Sequence, residues 1–286
     1  MTDYQIRKMT RDELDFAVDL AADEGWNPGI HDADCFHAAD PEGFLLGLLD
    51  GEPIGTVSVV RYPGGYGFLG FYIVKPDWRG KGYGLELFTR AMERMEGRDI
   101  GLDGVLEQVG NYEKWGFRTA HHNIRWQGTA AGDQDEAGDG SIIALGEVPF
   151  EQVLAYDRRM FSSARPAFLR CWIDRPGHTA LGFVENGALK GYTVFRECRM
   201  GVKIGPLIAD TPELAERLFR AGSSRLVTGT PISLDVPAPN AAGVDLAQRH
   251  GMEPVFETAR MYRMVTRPEM DFPLENWFGV TSFELG

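Results

Sequence analysis

The chain has 286 residues, of which 43% are hydrophobic and 25% charged, and its formal net charge is -13. This is long enough for two compact domains, and the composition is that of a folded globular protein with a substantial core, which excludes a disordered chain. The acidic surplus argues against nucleic acid and against an anionic membrane as partners, since both need a basic footprint, and it favours a positively charged small molecule.

Tyr4 to Met9 alternates like a short strand, and Thr10 stands where it caps a helix carrying Leu14, Phe16, Val18 and Leu20 and ending at Gly25. The next segment, Glu24 to Asp32, is rich in turn residues and admits two readings. In one, Trp26 plugs the core from a loop between helices. In the other, Trp26 and Asn27 wall a substrate pocket in which Glu24 or Asp32 balances an ammonium. Phe44 to Leu49 and Ile54 to Arg61, separated by Asp50-Gly51-Glu52-Pro53, predict a β-hairpin. Tyr66 to Val74 predicts a further strand, ended by Pro76, and Leu85, Phe88, Met92 and Met95 recur at helical spacing from about Gly82. Gly80, Gly82 and Gly84 therefore sit at a helix N-terminus, where unpartnered amides and the positive end of the dipole suit a phosphate. The spacing is neither the dinucleotide fingerprint nor a P-loop, because no Gly-Lys-Ser or Gly-Lys-Thr follows.

Arg79, Gly82 and Gly84 resemble the Arg/Gln-x-x-Gly-x-Gly/Ala pyrophosphate loop of the GNAT acyltransferases. Further along, Tyr112, Gly116 and Phe117 resemble the Tyr-x-x-x-Gly-Phe sequence of the same family. The resemblance implies that Arg79, Gly80, Lys81, Gly82, Tyr83 and Gly84 hold the pyrophosphate of acetyl-CoA. It also implies that the main chain near Ile73 and Val74 meets the thioester carbonyl, and that Tyr112 is the general acid. One position departs from the family: Val105 stands where many members carry an asparagine. The central strand Phe68 to Val74 holds no carboxylate, so the candidates for the base are Glu24, Asp32 and Asp103. On the acceptor side the candidates are Trp26, Asn27, Asp32, Tyr72 and Asp235. Asp103 and Asp235 both lie at predicted strand ends, where each either faces the cleft between halves or caps a turn.

The segment 129–140 reads as a linker between a first domain over 1–128 and a second over 141–286. The second half repeats the first: Ile204-Gly205-Pro206 answers Leu69-Gly70-Phe71, Gly182 answers Gly47 and Gly251 answers Gly116, all at one offset. After Ala209 the repeat reads Asp210-Thr211-Pro212-Glu213, a capped helix start with acidic residues in place of the glycine loop. The second half is thus expected to keep the fold without the cofactor site, and the whole chain resembles a tandem GNAT protein with a degenerate C-terminal domain. The fold class expected is α/β, with two tandem domains, each a central, mostly antiparallel mixed sheet flanked by helices.

No apolar run reaches the length of a membrane helix, and Met1 to Thr10 is too polar for a secretory signal. Cys35, Cys171 and Cys198 are odd in number and scattered, which argues against disulfides and for the cytoplasm. His31 with His37, and His121 with His122, lack the spacing of a metal site, so no metal is expected. The function these features imply is N-acetylation of a small primary amine by direct transfer from acetyl-CoA, with the amine held between the halves. Transfer of a succinyl or propionyl group, and a non-catalytic coenzyme A sensor or scaffold, are the alternatives. Monomer and homodimer are both open.

Overall fold

The structure is a computed structural model that describes residues 3–132, 140–161, 163–267 and 272–286. The first half supplies β1 (Tyr4–Lys8), α1 (Leu14–Asp23), α2 (Asp32–Ala39), β2 (Phe44–Leu49), β3 (Glu52–Arg61) and β4 (Tyr66–Val74). It continues with α3 (Tyr83–Arg94), β5 (Asp99–Val105), α4 (Val109–Glu113) and β6 (Arg118–Thr129). The second half begins with β7 (Ile142–Ala144), α5 (Phe150–Phe161), α6 (Pro166–Asp174), β8 (His178–Glu185), β9 (Ala188–Glu197) and β10 (Val202–Ala209). It ends with α7 (Pro212–Ser223), β11 (Pro231–Pro237), α8 (Ala241–Arg249), β12 (Glu253–Arg263) and β13 (Trp277–Gly279).

Local sequence explains most of these boundaries. Thr10 and Glu13 cap the start of α1 reciprocally, the Thr10 amide donating to the Glu13 carboxylate at 2.9 Å and the Glu13 amide to the Thr10 hydroxyl at 3.3 Å. Thr211 and Asn240 accept from Leu214 and Gly243 amides at the starts of α7 and α8. The two hairpins that open the halves turn on matched pairs, Asp50-Gly51 and Asn186-Gly187, with all four residues at positive φ.

The strands form one continuous mixed sheet in the order β1-β2-β3-β4-β5-β12-β6-β11-β10-β9-β8-β7, with β13 added on β10. Both halves keep a mixed sheet flanked by helices, and they exchange a strand. β12 of the second half lies against β5 of the first, and β6 of the first lies against β11 of the second. The boundary expected at residue 128 therefore falls near the end of a strand, and residues 133–139 of the expected linker lie outside the described residues.

Across the central pair, Arg125 faces Phe256 and His121 faces Arg260. At the offset that separates Gly116 from Gly251, Arg125 corresponds to Arg260 and His121 to Phe256, so one pair maps onto the other. This is the pattern expected of a duplicated unit related to its copy by a two-fold axis between β6 and β12. Below the same sheet face, one apolar core draws on both halves: Phe36 packs edge-on against Phe71 at 5.7 Å and stacks on Trp172 at 5.9 Å.

One expectation from the cysteines is corrected here. Cys35 on α2 and Cys171 on α6 form a disulfide, with Cα atoms 5.2 Å apart and 136 residues of sequence separation, while Cys198 is free and buried. An odd count hid one pair and a spare, and the pairing follows from packing α2 of one half on α6 of the other. The cysteines therefore give no argument for a reducing compartment. Among the described residues no helix is long and apolar enough to cross a membrane.

Candidate active site

β4 and β5 run parallel and pair only over Tyr66–Leu69 and Asp99–Leu102. Beyond that point they separate. A bulge at Phe71, with φ +45, turns the outer end of β4 while it stays paired to β3. The β5-facing edge of Gly70 to Val74 is left free of ladder partners, and two connected cavities open along it.

The wider cavity, of about 510 Å³, is lined by Ile73, Val74, Arg79, Gly80, Gly82 and Gly84, with Glu24, Leu85 and Glu107 at its rim. Gly80 and Gly82 adopt φ +73 and +95, and a Cβ on either would meet nothing, so the loop faces open space. At Gly84 a Cβ would come within 2.9 Å of the Tyr72 hydroxyl and 3.1 Å of Val74, which lets the first turn of α3 lie close on β4. Gly82, Gly84 and Leu85 at the start of α3 line this space, and the first amides of a helix have no acceptor inside it. Arg79 donates from Nε to the Val74 carbonyl at 2.7 Å and pairs with Glu24. Two loop residues turn away: Lys81 lies over the Trp78 ring at 4.6 Å, and Tyr83 packs against Tyr4 at 4.8 Å.

The narrower cavity is a slot with about 50 Å³ of free space. Trp26, Phe71, Tyr72, Tyr112, Phe256 and Phe283 supply aromatic walls, and Asp103, Gln108 and Thr258 the polar points. Trp26, Tyr72, Val105 and Gln108 line both cavities, so the slot opens directly into the groove. Burial, with Tyr72 adding to it, raises the Tyr112 hydroxyl well above its ordinary pKa, so it stays protonated at neutral pH. Asp103 accepts from Arg260 Nε at 2.8 Å, from Arg260 Nη2 at 2.6 Å and from Asn123 at 2.7 Å. Burial pushes its carboxyl above the ordinary value, against the pull of Arg260. The Thr258 hydroxyl is buried and has no partner among the described residues.

Of the acceptor residues expected from sequence, Trp26 and Tyr72 reach the slot and Asn27, Asp32 and Asp235 stand behind it. Asn27 holds the Met200 backbone through both side-chain atoms, at 2.9 and 3.1 Å. Asp32 is buried, yet Arg196 holds its carboxyl below the ordinary value, and Asp235 is held in the same way by Arg125 at 2.7 and 2.8 Å. The three candidate bases are thus separated: Asp103 lines the slot, Glu24 lines the groove, and Asp32 lines neither. Phe256, Thr258 and Phe283 were not expected, because they come from the second half: Phe256 and Thr258 reach the slot on the exchanged strand β12, and Phe283 from the segment that follows β13. The signal that points to β12 is the offset, which pairs Arg260 with Arg125, and in the sheet Asp103 stands opposite Arg260 as Asp235 stands opposite Arg125.

His121, buried beside Arg260, is lowered to about 3 by burial first and Arg260 second, and His178 to about 4 by burial first and Arg196 second. Both folded values lie below the ordinary 6.5, so the unfolded chain binds more protons in this window. Their contribution to stability is complete above pH 6.5 and lost as pH falls from there towards 4. Urea unfolding should show a decline of up to about 1.4 kcal/mol per pH unit for each histidine, and His121→Phe, which copies position 256, should remove one share.

The corresponding place in the second half is filled. β10 and β11 separate after Ile204 and Leu234, as β4 and β5 do, but β13 enters the gap and pairs with β10. Asn240 donates to the Trp277 carbonyl at 2.8 Å and Asn276 to the Ala209 carbonyl at 2.9 Å, tying the inserted segment down. Residues 7–117 match the family model described as Acetyltransferase (GNAT) family, and 153–272 match one described as Acetyltransferase (GNAT) domain. The holothin acyltransferase of Pseudoalteromonas sp. (strain SANK 73390) is 34% identical over 254 residues, which span 88% of this chain and 85% of that protein. The chain belongs to the GNAT acetyltransferase family.

Solved GNAT-type structures match the fold over nearly the whole chain. A putative acetyltransferase from Pyrococcus horikoshii has a TM-score of 0.81 at 22% identity, covering 99% of this chain and 96% of its own. The tandem GNAT protein from the clavulanic acid biosynthesis pathway has a TM-score of 0.62 at 13% identity, covering 94% and 100%. This chain is accordingly a tandem GNAT acyltransferase with an open cleft between β4 and β5 and a closed one between β10 and β11.

Proposed function

We propose that this GNAT transfers an acetyl group from acetyl-CoA directly to a small amine seated in the slot between the halves. The observation that carries the reading is the slot itself, where β4, Tyr112 and Asp103 line one space that opens into the glycine-lined groove. The groove fits coenzyme A: Gly80, Gly82 and Gly84 leave the start of α3 open to a pyrophosphate, Arg79 stands beside it and would exchange Glu24 for phosphate, and the unpaired edge of β4 offers amides and carbonyls to the arm. Bound acetyl-CoA would supply an acyl group activated as a thioester. The β4 amides are then placed to polarise the acyl oxygen. Tyr112 gives its proton to the departing sulfur, and Asp103 accepts the proton that the amine sheds as its nitrogen bonds to carbon.

The slot also bears on the acceptor. The net charge favours a cation, whereas the slot is walled by aromatic rings and its one carboxylate is already paired with Arg260. That lining favours a flat, apolar amine that arrives uncharged, with a polar group for the Thr258 hydroxyl. The relative named as a holothin acyltransferase supports acyl transfer.

The test is calorimetry with acetyl-CoA, followed by thiol release with aniline, benzylamine, tryptamine and spermidine. Amine-dependent release, faster with the aromatic amines than with spermidine by about tenfold or more, is the expected result. Binding of acetyl-CoA with no release on any amine would favour a sensor or scaffold, and faster release from succinyl- or propionyl-CoA would change the acyl group.

A further inference from the structure

Lys203 is 2% exposed and sits on β10 in the second half, which has no open cofactor cleft. At the repeat offset its counterpart is Phe68 on β4, an apolar residue over which Arg260 lies at 5.1 Å. The second half has therefore put a lysine where the first keeps a ring, and has put it beside Arg125, the counterpart of Arg260. Burial first, and Arg125 second, lower the Lys203 pKa, so the site opposes the charge it holds. A buried ammonium at such a place is tolerated only where it makes a contact that the fold uses.

The contact it makes is to the acceptor wall. The Lys203 ammonium donates to the carbonyl of Trp26 at 3.0 Å, and Arg125 Nη1 donates to the same oxygen at 2.7 Å. Two cations from the strands of the exchanged sheet thus converge on one peptide group, that of the residue whose ring lines both the slot and the groove. Neighbouring anchors come from the same stretch of the second half: the Ile30 amide donates to the Glu197 carbonyl at 2.9 Å, and Asn27 clasps Met200. Asn27 itself is held at φ +49, which a free loop would relax.

We infer that Lys203, with Arg125, is a positioning residue for acyl transfer, fixing Trp26 as the wall against which the acceptor amine is placed. The degenerate half then acts in the reaction through the geometry of the slot, and this inference rests on the slot being the acceptor site. Arg125 has a second duty in pairing with Asp235, so Lys203 is the cleaner probe.

The experiment compares Lys203→Met, which fills the space and donates nothing, with Lys203→Gln, which keeps a neutral donor for the carbonyl. Both are assayed with the fastest amine among aniline, benzylamine, tryptamine and spermidine, and the acetyl-CoA dissociation constant of each is measured by calorimetry. Lys203→Met should raise the KM for the amine about tenfold while kcat and acetyl-CoA affinity stay within about twofold, and Lys203→Gln should restore most of that loss. An unchanged amine KM in Lys203→Met overturns the inference and leaves acyl transfer standing. A Lys203→Met chain that no longer binds acetyl-CoA, or a Lys203→Gln chain that behaves like it, overturns the inference in favour of a lysine that serves folding or charge balance alone. Absence of turnover with every amine in the unaltered chain strikes the reading of the slot, and the inference falls with it.

Discussion

Replacing Arg79 by Ala and Gly82 by Asp together should weaken acetyl-CoA binding by about a thousandfold, as read by calorimetry, while the strain of a side chain at the positive φ of position 82 lowers the melting temperature without unfolding the chain. Arg79 contributes a charge-assisted contact to phosphate, commonly about 1.5–3 kcal/mol, and it also occupies Glu24. Its removal leaves the Glu24 carboxylate facing the groove. At position 82, φ is +95 and the α3 amides converge, so an aspartate places a negative charge where the pyrophosphate belongs. The sum is about 4 kcal/mol, which is the factor expected. The second half offers no compensation, because β13 fills its cleft and Glu213 stands in the first turn of α7.

The other large effect is kinetic. Tyr112→Phe should lower kcat by about a hundredfold or more and leave the acetyl-CoA dissociation constant within about twofold. The ring packs between Phe88 and Phe117, at 6.0 and 6.3 Å, and phenylalanine keeps those contacts, so the variant loses the hydroxyl alone. Because burial raises the pKa of Tyr112, activity should show no loss of a tyrosine proton across neutral pH. Unchanged turnover in the variant would take Tyr112 out of the reaction.

Much of the fold can be read from local patterns. The hairpins at Asp50-Gly51 and Asn186-Gly187, the strand over Tyr66 to Val74 and the glycine loop before α3 rest on interactions within a few residues, so composition and spacing report them. The constant offset likewise exposes the duplication. The strand exchange is not local. β6 and β12 have the same character in either pairing, and which neighbour each takes depends on how the halves meet. From that one fact follow the features that sequence reading misses. Phe256 and Thr258 enter the slot from a strand of the other half, Arg260 crosses to Asp103, and α2 meets α6 closely enough to join Cys35 to Cys171. Asp235, placed on the acceptor side by its similarity to Asp103, is drawn away by Arg125, whose position on an exchanged strand sets the difference.

The proposed function has one half bind coenzyme A and the other complete the acceptor slot. A crystal structure of the chain with coenzyme A tests it most directly. The expected result is one ligand per chain, with its pyrophosphate on the amides of Gly80 to Gly84 and its arm between β4 and β5, its sulfur beside Tyr112. A ligand bound between β10 and β11, with β13 displaced, would contradict it.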